Sequence, residues 1–216
     1  MTAAANGIVD GTLIQPLRQT ITSFAAGLGA AIAIGVPVGM AMGRSRFADE
    51  ALSMTVDALR PIPAVALVPV AVVVLGLGLR MQVALIAFAA VWPIVFNTRY
   101  GAHNVDATMT DAARLSGLSR PATMVRVVLP ASMPSIMTGF RLAAAVAVVL
   151  TIVTEMVASG TGIGYFVDTR LQVGESAQAL AGVLLAALLG WMVNITMLKI
   201  ENHVIGWHLQ QQGVER

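Results

Sequence analysis

Residues able to do chemistry are few in this chain of 216, which has no cysteine and only three histidines, His103, His203 and His208. Without cysteine there are no disulfides, thiolate metal sites or cysteine nucleophiles. The histidines lack metal-ligand spacing. The only lysine, Lys199, follows Leu198, so the Gly-Lys step of a phosphate-cradling loop cannot form. No Gly-x-Ser-x-Gly elbow occurs either. No catalytic, cofactor-binding or metal-ligating residue is therefore expected. Two other groups of residues stand out. Glu155 sits in an apolar run, with Thr151 one turn before it and Ser159 one turn after. A carboxylate in hydrocarbon costs roughly 2.5–3.5 kcal/mol, so such a residue faces a cavity or a partner. Glu155 is expected either to line or gate a pathway or to bond nearby backbone at the membrane interface. Asn97, beside Thr98 at the end of another apolar run, either lines an inner mouth or caps a helix end.

These residues have to be positioned by membrane helices. Apolar residues make up 57% of the chain and charged residues 11%, and mean hydropathy is +0.80. A soluble domain carries about 25% charged residues; a chain this poor in charge has hydrocarbon as its solvent. A crossing needs roughly 20 apolar residues. Five such stretches occur, at about 19–43, 61–79, 81–98, 136–158 and 176–198. The expected fold is an all-α integral membrane protein, with an N-terminal segment 1–18, a transmembrane domain 19–207 and a tail 208–216.

Nine lysines and arginines fall in or next to one set of loops, among them Arg44, Arg46, Arg60, Arg99, Arg114, Arg120 and Arg126, whereas Arg18, Arg80 and Arg170 fall on the other side. Positive charge stays cytoplasmic, so the N-terminus is expected outside and the C-terminus inside. The net charge of +2 is too small and too scattered for nucleic acid. Gly27, Ala31, Gly35, Gly39 and Gly43 recur at four-residue spacing, as do Gly139, Ala143, Ala147 and Thr151. Such small-residue ridges let helix backbones approach closely in lipid. Pro61, Pro63 and Pro69 make the second stretch irregular, either as a pathway lining or as structural kinks.

The longest loop on the basic side, 99–135, is patterned rather than plain linker. From Asn104 to Ser116 it has helical periodicity, with Val105, Met109, Ala112, Ala113 and Ser116 on one face and Asp106, Thr110 and Arg114 on the other. Gly117 suits a helix stop. Ser119 can cap a second short helix with Pro121 in its first turn, expected to run to Leu129 and to end at Pro130. Two short helices lying flat beneath the membrane are the expectation.

Asp111-Ala112-Ala113, three residues, Gly117, nine residues, then Val127-Val128-Leu129-Pro130 resembles the EAA motif of ATP-binding-cassette importer permeases. The motif's Glu is Asp here and its Ile is Val. Arg60-Pro61-Ile62-Pro63, Leu75-Gly76-Leu77-Gly78, Gly139-Phe140-Arg141-Leu142, Glu155-Met156 and Gly162-Ile163-Gly164-Tyr165 look like the nitrate/sulfonate/taurine branch of that superfamily. Members commonly carry one more N-terminal span, so this chain is expected to hold a five-helix core.

The resemblance implies a type I importer fold, MetI-like, in a bacterial inner membrane. It implies that the loop seats in a groove of a separate ATPase dimer, which alone binds ATP and Mg. Asp111 would pair with a basic residue there, Ala112 and Ala113 would admit close contact beside Leu115, and Gly117 would set the bend. Val127, Leu129 and Pro130 would anchor the lever. The implied partners are that ATPase, a second permease copy or paralogue, and an extracytoplasmic solute-binding protein docked over a tight turn at Gly160, Gly162 and Gly164. The implied solute is a small anion, a sulfonate or a heterocyclic nutrient. A secondary carrier or channel subunit is the rival reading, but such folds divide into paired repeats, and five spans with one cytoplasmic hairpin do not.

Overall fold

The computed structural model describes residues 13–211 and their side chains as far as residue 205. The proposed segment 1–18 therefore lies mostly outside the described residues, as does the end of the 208–216 tail. Every described element is a helix: α1 Ile14–Arg44, α2 Arg46–Leu59, a 3-10 turn Ala64–Leu67, α3 Val68–Leu75, α4 Leu79–His103, α5 Ala107–Leu115, α6 Arg120–Thr123, α7 Leu129–Ala158, α8 Ile163–Gln172 and α9 Ser176–Gln211. A π turn, Met124–Val128, joins α6 to α7. Four continuous helices are long and apolar enough to cross a membrane: α1, α4, the run Arg120–Ala158, and α9 over Ser176–Ile205.

The stretch 61–79 departs from expectation, because it is not one helix. α2 and the segment Ala64–Leu75 form a pair bent by 78°, and α3 has only 8 residues, about 12 Å at the α-helical rise. The sequence explains the breaks. Pro63 caps the 3-10 turn, Pro69 enters the first turn of α3, and Gly76 and Gly78 take φ of 74° and 114°, values that side chains disfavour. Arg44 to Arg60, expected as loop, is mostly α2, whose first turn is capped by the Ser45 hydroxyl accepting from the Ala48 N–H.

The fold divides into two compact units. The first gathers the chain up to Ala31 with Pro61–Ala90 and Ala144–Asn194; the second gathers Ile32–Arg60, Val91–Ala143 and the chain from Ile195 onward. In the first unit, a Cβ added to Gly27 would meet Ile86 at 2.5 Å, and the Ser23 hydroxyl donates to Gln82 Oε1 at 2.6 Å. In the second unit, added Cβ atoms would come within 2.7 Å of Ile94 at Gly35, 2.6 Å of Thr98 at Gly39 and 2.7 Å of Ala102 at Gly43. The four-residue ridge of α1 is thus the seam with α4, and the tiers advance in the same direction along both, so the two helices run parallel. The α7 series also packs: a Cβ at Gly139 would lie 2.9 Å from Asn97 Cβ, and Ala143, Ala147 and Thr151 are buried. Dispersion between backbones this close replaces the water release that drives soluble cores.

Candidate functional site

Asp106 N-caps α5, its side chain accepting from the Thr108 N–H at 2.9 Å. That bond favours the ionised form and holds the Asp106 carboxyl below the usual carboxylate range. Ser116 ends the helix, and Gly117 follows at φ 79°, the left-handed stop its sequence position suggests. The Ser119 side chain accepts from the Ala122 N–H at the start of α6, with Pro121 in the first turn. Each of the two helices is therefore capped at its N-terminus, and a glycine turns the chain between them.

Two expectations are corrected here. The second helix does not stop at Pro130. It runs through the π turn straight into α7, giving a continuous apolar helix from Arg120 to Ala158. A proline ring normally clashes with the carbonyl four residues before it. The π turn, with the Leu129 N–H donating to the Met124 carbonyl, widens the backbone where Arg126 would obstruct Pro130. The Ser132 hydroxyl then donates to the Val128 carbonyl at 2.7 Å. The face of α5 also differs from the periodicity. Thr110, expected on the polar face, is buried beside Ala113, whereas Met109, Ala112 and Ser116 are exposed. Thr110 tolerates burial because its hydroxyl donates to the Ala107 carbonyl.

What the segment shows to its surroundings is then clear. Leu115 is 90% exposed. Asp111 and Arg114 pair loosely at 3.5 Å with both side chains mostly exposed. Behind them, Met40, Ala102 and Val128 form a buried cluster, with Val105, Met124 and Leu129 packed against it. Val127 and Pro130 are half-buried. An apolar, exposed knob with a charged neighbour is thus mounted on a packed base.

A second polar site lies in the first unit. Glu155 is fully buried, and its Oε2 accepts from the Thr20 hydroxyl and from the Gly164 N–H, each at 3.0 Å. Thr20 Oγ1 in turn accepts from the Ile163 N–H at 3.0 Å. Together they satisfy the first free N–H groups of α8, a helix that starts after Gly162 at φ 105°. Gly162 has no room for a side chain, since an added Cβ would overlap the Glu155 carboxyl. Thr151 is buried, with its hydroxyl donating to the Ala147 carbonyl at 2.7 Å. Ser159 closes a local turn with Thr161. Asn97 donates to the Pro93 carbonyl at 2.8 Å. Thr20, Glu155 and the glycine turn come together; Asn97 belongs to the other unit. Among the described residues, no group of three or more His, Asp or Glu is placed to hold a metal ion.

Residues 31–204 match the family described as binding-protein-dependent transport system inner membrane component. The chain belongs to that family. Relatives of this permease include the taurine transport system permease protein TauC of Escherichia coli (strain K12), 29% identical over 97% of this chain and 76% of the relative. The nitrate import permease protein NrtB of Synechocystis sp. is 28% identical, covering 93% and 73%. A putative aliphatic sulfonates transport permease protein SsuC of Bacillus subtilis is 27% identical, covering 95% and 75%. A chain of the MetNI methionine ABC transporter in inward-facing conformations shares the fold, with TM-score 0.75 at 18% identity over 89% of this chain and 95% of that one. The permease is thus a multi-pass inner-membrane subunit of an ABC importer, and such subunits are not themselves enzymes. The family implies an ATPase and a binding protein as partners.

Sequence reasoning missed Thr20 as a functional partner of the permease's Glu155. No local pattern signals it, because the two residues are 135 positions apart in the chain. The outer segment where a tight turn was expected at Gly160, Gly162 and Gly164 also holds the ten-residue α8, which begins at Ile163. Arg141 pairs with Glu201 on α9 at 3.5 Å.

Proposed function

We propose that this permease couples solute import to a separate ATPase dimer through α5 and α6. The observation that carries the reading is an exposed Leu115 on a capped helix, joined through Gly117 to a helix of 39 residues. At the α-helical rise that helix is about 58 Å long. A capped helix on a packed base transmits a push that a loose loop would dissipate. Asp111 meets a basic residue of the ATPase, Ala112 and Ala113 admit close approach, and Val127, Leu129 and Pro130 fix the lever to the membrane helix. ATP and Mg stay on the ATPase.

Five crossings fit the broken pair best. Parallel α1 and α4 require the chain between them to return across the bilayer; α2 lies at the cytoplasmic interface, and after the 78° bend the stretch 61–79 makes that return. With the basic loops cytoplasmic, the N-terminus is outside and the C-terminus inside. Five helices enclose little, so a second copy or a paralogue completes the pathway, and an outer binding protein delivers the solute. Glu155 and Thr20 hold the outer end of α8 as a gate support, with Thr151 in the same helix seam; Ser159 turns the chain there, and Asn97 marks the inner end. The solute class that the named relatives support is a small oxyanion, a sulfonate or nitrate.

Proteoliposomes containing the permease, its ATPase and its binding protein test this. Asp111→Arg is expected to abolish ATP-driven sulfonate uptake while leaving the permease folded. Undiminished ATP-dependent uptake by that variant would overturn the assignment.

A further inference from the structure

In the second unit, a half-open cavity of about 320 Å³ lies between α2 and the end of α4, lined by Asp49, Phe96, Arg99, Tyr100, His103 and Asn104. Its depth in the membrane follows from the helices that make it. α4 is an apolar span whose last turns carry Arg99 and a mostly exposed Tyr100, the residue types that mark the headgroup level. On α2, Phe47 and Met54 are each 83% exposed, seven residues apart and so on one face of a helix, while Arg46 and Glu50 pair on the surface at 2.8 Å. An amphipathic helix of this kind lies in the membrane interface with its apolar face toward acyl chains.

The cavity carries both signs of charge. Arg99 Nη2 donates to Asp49 Oδ2 at 2.7 Å, with both side chains about one-third exposed. The pairing uses one of the five N–H donors a guanidinium carries. The Arg60 guanidinium stacks 4.5 Å above the Phe96 ring and adds a second cation at the rim. Asp49 Oδ1 is buried and accepts no hydrogen bond, a costly condition for a carboxylate oxygen. A purely anionic ligand would leave that oxygen unsatisfied and meet the Asp49 charge.

We propose that this cavity holds the headgroup of a membrane phospholipid bearing a phosphate and a primary ammonium, an ethanolamine-type lipid. The phosphate takes the free N–H groups of Arg99 and Arg60, and basic pockets between membrane helices bind headgroups in this way. The ammonium supplies the donor that Asp49 lacks, after a small rotation of its broad terminal torsion. Phe96 and Tyr100 flank the glycerol region. The volume, at the low end of roughly 300–1,000 Å³ for ligand sites, suits a headgroup and leaves the acyl chains in the bilayer.

Native mass spectrometry of the full chain in mild detergent tests this. The chain is offered equal amounts of ethanolamine, choline and glycerol phospholipids with identical acyl chains. Retention of the ethanolamine lipid is expected to exceed the other two about tenfold, one charge-assisted hydrogen bond's worth of selectivity. Equal retention of all three, preference for the glycerol lipid, or no retention overturns the site. Asp49→Asn is expected to erase the discrimination between ethanolamine and choline; preserved discrimination also overturns it. Because Asp49 braces Arg99, the exposed Arg60→Gln guards against a folding defect: it is expected to lower retention of all three lipids with an unchanged melting temperature. Unaltered retention in that variant counts against the site. Soluble glycerophosphoethanolamine separates the two sources of the same chemistry. Displacement of the lipid at equal concentration would reassign the cavity to a free zwitterion and sink the lipid proposal.

Discussion

Replacing Leu115 with alanine separates a docking role from a structural one. In the permease alone the side chain is 90% exposed, so truncation removes almost no internal contact. Surface changes of this kind shift stability by within about 0.5 kcal/mol. If a groove of the ATPase covers Leu115, the same truncation forfeits most of the burial of a leucine. That burial is worth about 1.5–3 kcal/mol, a weakening of roughly ten- to 150-fold in affinity. The assay is titration of the ATPase onto detergent-solubilised permease by biolayer interferometry, alongside thermal unfolding of the permease alone. Leu180→Ala is the control, since Leu180 is also exposed, at 64%, but lies on the apolar membrane-spanning α9. The expected result is weakened docking by Leu115→Ala, no effect of Leu180→Ala, and the same melting temperature in both. A less than twofold loss for Leu115→Ala, or an equal loss for Leu180→Ala, refutes the reasoning. A lowered melting temperature would place Leu115 in the chain's own core.

Gly39→Val drives a side chain into Thr98 and the Val95 carbonyl, each within 2.7 Å of the first added carbon, and parts α1 from α4. Overpacking costs about 1–3 kcal/mol, so a melting temperature lower by several degrees is expected, whereas Gly29→Val, with nothing within 4 Å, leaves it unchanged. Glu155→Leu leaves the Gly164 N–H without its acceptor, while the Thr20 hydroxyl keeps the Pro16 carbonyl at 3.1 Å; at about 1–3 kcal/mol for a buried unsatisfied group, faster amide exchange at the start of α8 is expected. Asp106 has its carboxyl lowered by the α5 cap, so its contribution is fully present above the unfolded value of 3.8 and is lost as pH falls through the lower folded value. Amide exchange in α5 is therefore expected to be indifferent to Asp106 ionisation between pH 5 and pH 8, and Asp106→Asn, an equally good cap, to leave it unchanged where Asp106→Ala accelerates it.

Composition alone determined that this chain lives in hydrocarbon, because 11% charge cannot clothe a soluble globule. The α1 ridge was legible because helical spacing is local: residues four apart share a face wherever the helix packs. Ser119, Gly117 and the left-handed turn were legible for the same reason, since caps and stops are set by one or two residues. The rest was decided by neighbours. Thr110 is buried and Met109 exposed on an α5 that packs against α6 and the π turn, and periodicity within α5 carries no information about which face its neighbours meet. Pro130 reads as a helix stop and lies inside one, because an extra backbone residue in the π turn makes room for its ring. Glu155 reads from the sequence either as a pathway carboxylate or as one bonded to nearby backbone, and only the fold names its partners, the Thr20 hydroxyl from 135 residues away and the Gly164 N–H. The sequence by itself determined which segments enter lipid and where helices start and stop; the tertiary structure decided which face each buries and what each buried polar group bonds, because burial is a property of pairs of elements.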